Sequence, residues 1–162
     1  MQTESKLLHF FQAEHDVLKD MFEPLVSRIL RSNTWDDGVI SEIEEFIAYV
    51  HTAFEGHLAM EEELLFPTIV KVLGSADQSV QMLYEEHQAI RNTTGQFVRE
   101  FECCLENRSK SEDLTKLTRE LFYLIEEHLF KESLFLYPLA EKLLSSAEKK
   151  ELMQKFQQKS YQ

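Results

Sequence analysis

Four long stretches of the chain carry apolar residues at alternating spacings of three and four, the pattern of helices with one buried face. In the first, Leu8, Phe11, His15, Leu18, Phe22, Leu25 and Ile29 share one stripe. They predict a helix capped by Thr3 or Ser5, ending near Arg31 and kinked at Pro24. The run from Asn33 to Gly38 breaks the pattern, and Thr34 or Asp36 is placed to cap a second helix from about Asp37 to Leu73. Its stripe is Ile43, Phe46 or Ile47, Val50, Phe54, His57, Glu61, Leu64 or Leu65, and Thr68. Gly56 costs about 1 kcal/mol inside a helix and is read as a point of close approach; Pro67 predicts a bend.

After a turn from Gly74 to Asp77, the third helix spans about Asp77 to Asn107, with Val80, Leu83, His87, Ile90, Thr94, Phe97 and Phe101 inward. The fourth spans about Glu112 to Leu144, with Leu117, Leu121, Leu124 or Ile125, His128, Glu132, Phe135 and Leu139 inward. Ser145 and Glu148 have capping-box spacing and open a tail helix to about Gln157, docked through Leu152 and Phe156. Short connections between long helices predict an all-α, up-down-up-down four-helix bundle with a short C-terminal helix. The whole chain, 1–162, is one domain: the bundle is about 5–144 and the tail helix about 146–157.

The stripes contain polar residues where a core expects apolar ones. His57 and Glu61 stand one helical turn apart on one face, followed by Phe66-Pro67. The same order returns as His128, Glu132 and Tyr137-Pro138, and Glu14-His15 returns as Glu86-His87. The first two helices and the last two are therefore copies of one hairpin. At about 1.5 Å rise per residue, His15, His57, Glu61, His87, His128 and Glu132 fall within a turn or two of one level. Burying an unpaired carboxylate is costly, so the repeat points to a site for two metals. Its nitrogen and oxygen donors suit iron, manganese or zinc better than copper(I). Two bridging carboxylates would leave each metal two histidines and an open position, the requirement of a small diatomic ligand or peroxide.

Other polar residues have weaker claims on the site. His9 and His51 lie outside the repeat and are read as exposed or as outer neighbours of the site. Glu62, Glu63 and Glu127 are read as facing water, and Glu14 and Glu86 as either hydrogen-bond partners of ligand histidines or solvated. Tyr84 and Tyr123 are read as packing residues, with a redox or hydrogen-bonding role as the alternative. Cys103 and Cys104 are adjacent, which suits reduced helical residues rather than a disulfide framework.

Charge narrows the partners. Twenty-nine acidic against 17 basic residues give a net charge of −12, which argues against nucleic acid or an anionic membrane. No apolar run approaches a membrane span, and the first residues lack the apolar core of a signal peptide, so a cytoplasmic protein is expected.

At His15, His57 with Glu61, His87, and His128 with Glu132, each pair followed by an aromatic residue and Pro, the chain resembles the hemerythrin-like (HHE) domain family over about residues 5–144. That resemblance implies a non-haem di-iron centre, two iron ions, in a four-helix bundle that binds or reacts with oxygen, nitric oxide or peroxide. Roles in iron handling or in oxidative and nitrosative stress follow from it. An enzyme decomposing peroxide or nitric oxide, or an iron donor for iron–sulfur centre repair, is the alternative. Oxygen-carrying hemerythrins have a further histidine one turn after the third-helix ligand. This chain has Arg91 there, which cannot coordinate a metal, so the resemblance is closer to the four-histidine, two-glutamate site of the repair-of-iron-centres proteins.

Overall fold

The computed structural model describes residues 6–74 and 78–160; the expected caps at Thr3 and Ser5 and the start of the third helix at Asp77 lie outside them. The first segment is α1, Lys6–Arg31. Pro24 lies inside it, and the helix continues through the proline rather than ending there.

The second segment, residues 37–73, runs as α2 (Asp37–Tyr49), a π turn (Val50–Phe54), α3 (Glu55–Met60), a second π turn (Glu61–Leu65) and α4 (Phe66–Leu73). Asp36 starts it by accepting the Val39 N–H at 2.9 Å, the expected N-cap contact. Gly74 ends it at φ +93°, a conformation that favours glycine. The third segment is α5, Gln78–Leu105. The fourth is α6 (Glu112–Lys131), a π turn (Glu132–Leu136) and α7 (Tyr137–Leu143), capped by Ser111, whose Oγ accepts the Leu114 N–H at 2.9 Å. The tail helix is α8, Ser146–Ser160. Ser145 and Glu148 exchange the capping-box bonds at 2.8 and 3.2 Å. Among the described residues there is no strand, only an isolated bridge between Thr34 and Ser109. No described helix is long and apolar enough to cross a membrane.

The π turns are where the chain departs from its apparent period. Pro67 and Pro138 have no N–H to donate, and their rings crowd the carbonyl four residues back. In each case the helix widens just upstream: the Phe66 N–H bonds to the Glu61 carbonyl and the Tyr137 N–H to the Glu132 carbonyl, five residues back. The extra residue rotates the next turn of the helix. Phe135, expected inside, is 51% exposed, and Leu136 and Tyr137 are buried in its place. Gly56 also differs from expectation: a Cβ there would meet nothing within 4 Å. It borders an open cavity with Glu14, Thr52 and Lys159 and marks no close approach.

The core divides in two. One cluster holds Leu18, Phe22, Ile29, Phe46, Phe97 and Leu121, with Phe22 stacked on Phe46 at 4.3 Å between ring centroids. The other holds Leu7, Phe11, Leu65, Phe66 and Leu136 and is closed by α8 through Leu152 and Phe156. Phe156 is fully buried and packs edge-on to Phe11 at 5.1 Å. Full burial of such side chains stabilises by about 1.5–3 kcal/mol each, so both ends of the bundle are held firmly. His15, His57, Glu61, His87, His128 and Glu132 lie where the two clusters meet.

Candidate metal centre

All six residues singled out by the repeat are buried: His15, His57, Glu61, His87, His128 and Glu132 are each no more than 2% exposed. Their donor atoms converge. His15 Nε2 and His57 Nε2 are 3.3 Å apart, and His87 Nε2 and His128 Nε2 are 3.1 Å apart. Glu132 reaches both pairs, with Oε2 3.1 Å from His15 Nε2 and Oε1 2.9 Å from His128 Nε2. Glu61 also spans them, with Oε1 3.6 Å from His57 Nε2 and Oε2 3.5 Å from His87 Nε2. Two groups able to hold a cation result: Glu61, His87, His128 and Glu132; and His15, His57 and Glu132.

The imidazoles are aimed by carboxylates behind them. His57 Nδ1–H donates to Glu14 at 2.5 Å, His128 Nδ1–H to Glu86 at 3.0 Å, and His87 Nδ1–H to Glu62 at 2.8 Å. Such bonds fix the tautomer and leave Nε2 free to coordinate. Glu14 and Glu86 thus take the hydrogen-bonding one of their two expected roles. Glu62, expected to face water, instead bonds His87 and Arg91, because the second segment turns Glu55 and Glu62, seven residues apart, toward α5. Arg91 bonds Glu55 through Nε and Nη2 and Glu62 through Nη1 at 2.7 Å. These two carboxylates neutralise its guanidinium. Glu63 is exposed and pairs with Lys159, and Glu127 is exposed.

His15 differs from the other three. Its Nδ1 is buried without a hydrogen-bond partner among the described residues. The hairpin repeat explains this: the position matching Glu62 is Ser133, too short to reach. Ser133 lines a cavity of about 460 Å³ with Leu8, His9, Gln12 and Tyr137.

Tyr137 joins the site although the helical spacing does not predict it there. Its hydroxyl lies 2.8 Å from His15 Nε2, 2.8 Å from Glu61 Oε1 and 3.1 Å from Glu132 Oε2. At a helical period of 3.6, a residue five after Glu132 leaves the ligand face; the π turn brings it back. The proline after it is the one signal in the sequence. Tyr84 donates to the Glu62 carbonyl oxygen at 2.9 Å, while Tyr123 is exposed. His9 and His51 are exposed, Cys103 is exposed and Cys104 buried, and neither is in a disulfide.

Without a cation this arrangement is electrostatically crowded. Burial alone would lower the His87 and His128 pKa values, but the carboxylates of Glu132 and Glu61 beside them, with Glu86 hydrogen-bonded to His128, raise them to about 9 and about 10. Burial opposes ionisation of Glu132 too, yet the imidazolium of His128 beside it holds its pKa well below the usual carboxylate range. Burial and the two carboxylates push the Tyr137 phenol far up. Even so, Glu61 Oε2 and Glu132 Oε1 are buried beside imidazole nitrogens with no well-aligned hydrogen bond among the described residues, a costly condition. Paired Nε2 atoms and carboxylate oxygens pointing into one space fit divalent or trivalent metal cations.

The sequence pattern of the hemerythrin HHE cation-binding domain matches residues 6–155. No curated protein and no solved structure matches the chain.

Proposed function

The chain belongs to the hemerythrin HHE cation-binding domain family, and from that premise we propose that it holds two iron ions and uses them to bind or react with oxygen, nitric oxide or peroxide. His15 and His57 would hold one ion, His87 and His128 the other, and Glu61 and Glu132 would bridge. The observation that carries this reading is that Glu132 belongs to both donor groups, as a bridging carboxylate must. Manganese or zinc would suit the same donors; redox chemistry on a small oxidant favours iron. When bound, the ions supply electrons and Lewis acidity.

The chain's own residues supply the rest. Glu14, Glu62 and Glu86 hold three imidazoles in the tautomer that coordinates. The two apolar clusters exclude water from above and below. A cavity wide enough for a small molecule is lined by Tyr137 and Ser133, and the Tyr137 hydroxyl lies among the donor atoms of the centre. Arg91 cannot serve as a further ligand, which favours reaction with peroxide or nitric oxide over oxygen storage.

The experiment is to mix anaerobic ferrous protein with oxygen, peroxide or nitric oxide and follow absorption by stopped flow. We expect rapid spectral change with peroxide or nitric oxide, and only transient change with oxygen. A long-lived, fully reversible oxygen spectrum would contradict the preference, and no change with any of the three would contradict the function. Steady-state consumption of peroxide or nitric oxide then separates turnover from binding.

A further inference from the structure

The two halves of the centre differ at one position. In the hairpin repeat Phe66 and Tyr137 correspond: each follows its glutamate by five residues, each is brought inward by a π turn, and each precedes a proline. Phe66 is fully buried and packs against His87 with ring centroids 5.3 Å apart. Tyr137 is also buried and packs against His15 at 5.3 Å, stacked on Phe11. The chain has therefore placed a phenol oxygen beside His15 and none beside His87.

That oxygen has more acceptors around it than its one proton can serve. Carboxylate oxygens of Glu61 and Glu132 lie 2.8 and 3.1 Å away, with His15 Nε2 at 2.8 Å on a third segment. Spacing offers a different account. With metal–ligand bonds of about 2.1 Å, adjacent donors on a six-coordinate cation stand about 3 Å apart. Tyr137 Oη is 2.8 Å from His15 Nε2 and from Glu61 Oε1, and 3.1 Å from Glu132 Oε2. His15 Nε2 is itself 3.1 Å from Glu132 Oε2 and 3.3 Å from His57 Nε2. These are separations of donors sharing one ion. A phenolate would also add negative charge in direct contact with the ion, where Glu61 and Glu132 are the two carboxylates that reach the Nε2 atoms.

We propose that Tyr137 is a direct phenolate ligand to the ion held by His15 and His57. The centre is then unequal: one ion has a protein oxygen where its neighbour, beside Phe66, has an open position for an external ligand. As the Oη–metal bond forms, the phenol proton leaves to solvent and no electron moves. This rests on the two-iron reading above, and its test separates the two.

The test is to load the protein with ferric iron, measure iron per chain, and record visible absorption and resonance Raman spectra of the wild type and Tyr137→Phe. Phe66 shows that the fold accepts phenylalanine at the equivalent position of the other hairpin. We expect a visible charge-transfer band with enhanced tyrosinate ring modes in the wild type. Both should vanish in Tyr137→Phe while bound iron is retained. Wild-type protein that holds two irons but shows no tyrosinate modes would overturn the ligand assignment and leave the two-iron reading standing, the phenol then being only a hydrogen-bond donor. Modes that persist in Tyr137→Phe would overturn it too. Failure to bind iron at all would overturn both.

Discussion

Three consecutive glutamates, Glu61, Glu62 and Glu63, have three different surroundings, and replacing each in turn by alanine tests the geometry closely. Glu61 is fully buried and lies within 3.6 Å of Nε2 atoms from both donor groups. Glu61→Ala removes a donor from both ions, and we expect metal content to fall by at least one ion per chain. Glu62 touches no predicted ligand atom; it holds His87 through Nδ1 at 2.8 Å and Arg91 at 2.7 Å. Loss of such an outer carboxylate weakens metal binding by about 10–100-fold, or about 1.4–2.7 kcal/mol. The upper end is expected, because Glu62→Ala also leaves the Arg91 charge near the centre with only Glu55 to offset it. Glu62→Gln keeps an acceptor for His87 and should fall between wild type and alanine. Glu63 pairs with the exposed Lys159, and exposed pairs contribute little, so Glu63→Ala should change affinity by less than roughly twofold. The assay is iron(II) titration in competition with a chromophoric chelator, with circular dichroism confirming that each variant is folded. Equal weakening in all three, or Glu62→Ala matching Glu63→Ala, would refute the reasoning.

The pH dependence of the metal-free protein follows from the same contacts. The His87 and His128 pKa values of about 9 and about 10 exceed the unfolded value of about 6.5. Their contribution to stability is therefore complete below about pH 6.5 and is lost as pH rises through 9 to 10. Glu132, held low, contributes above its unfolded value and loses that contribution in acid. Thermal melts of metal-free protein should thus be highest at mildly acidic pH and decline toward pH 10, whereas iron affinity should rise with pH as imidazole protons are removed; a melting temperature that climbs from pH 6 to 10 would contradict the first part. Arg91→His should place a further ligand one turn after His87 and lengthen oxygen uptake into a reversible form, followed by absorption; because it also frees Glu62, a histidine variant that merely loses iron would count against the substitution acting as a ligand.

The helical segments and the six buried polar residues are legible in the chain because both depend on one regular period. Leu18, Phe22 and Ile29 repeat as a helix requires, and His57 with Glu61, or His128 with Glu132, break the apolar stripe one turn apart without breaking the period. The features that the period hides are departures from it and contacts between segments. Phe135 reads as inward and Tyr137 falls outside the inward stripe because the π turn before Pro138 adds a residue to the turn. Glu62 reads as solvated because it follows Glu61 by one residue, about 100° around the helix; its partners, His87 and Arg91, lie on α5. Ser133 in place of a second Glu62 is visible in the repeat, but its consequence for His15 appears only in the packed structure.

The measurement closest to the central claim is the metal content of protein purified from iron-replete cells, by elemental analysis against amino-acid quantitation. Two irons per chain, falling when Glu132, the residue common to both donor groups, is replaced by alanine, is the predicted result. One metal or none per chain, or two that survive Glu132→Ala unchanged, would contradict it.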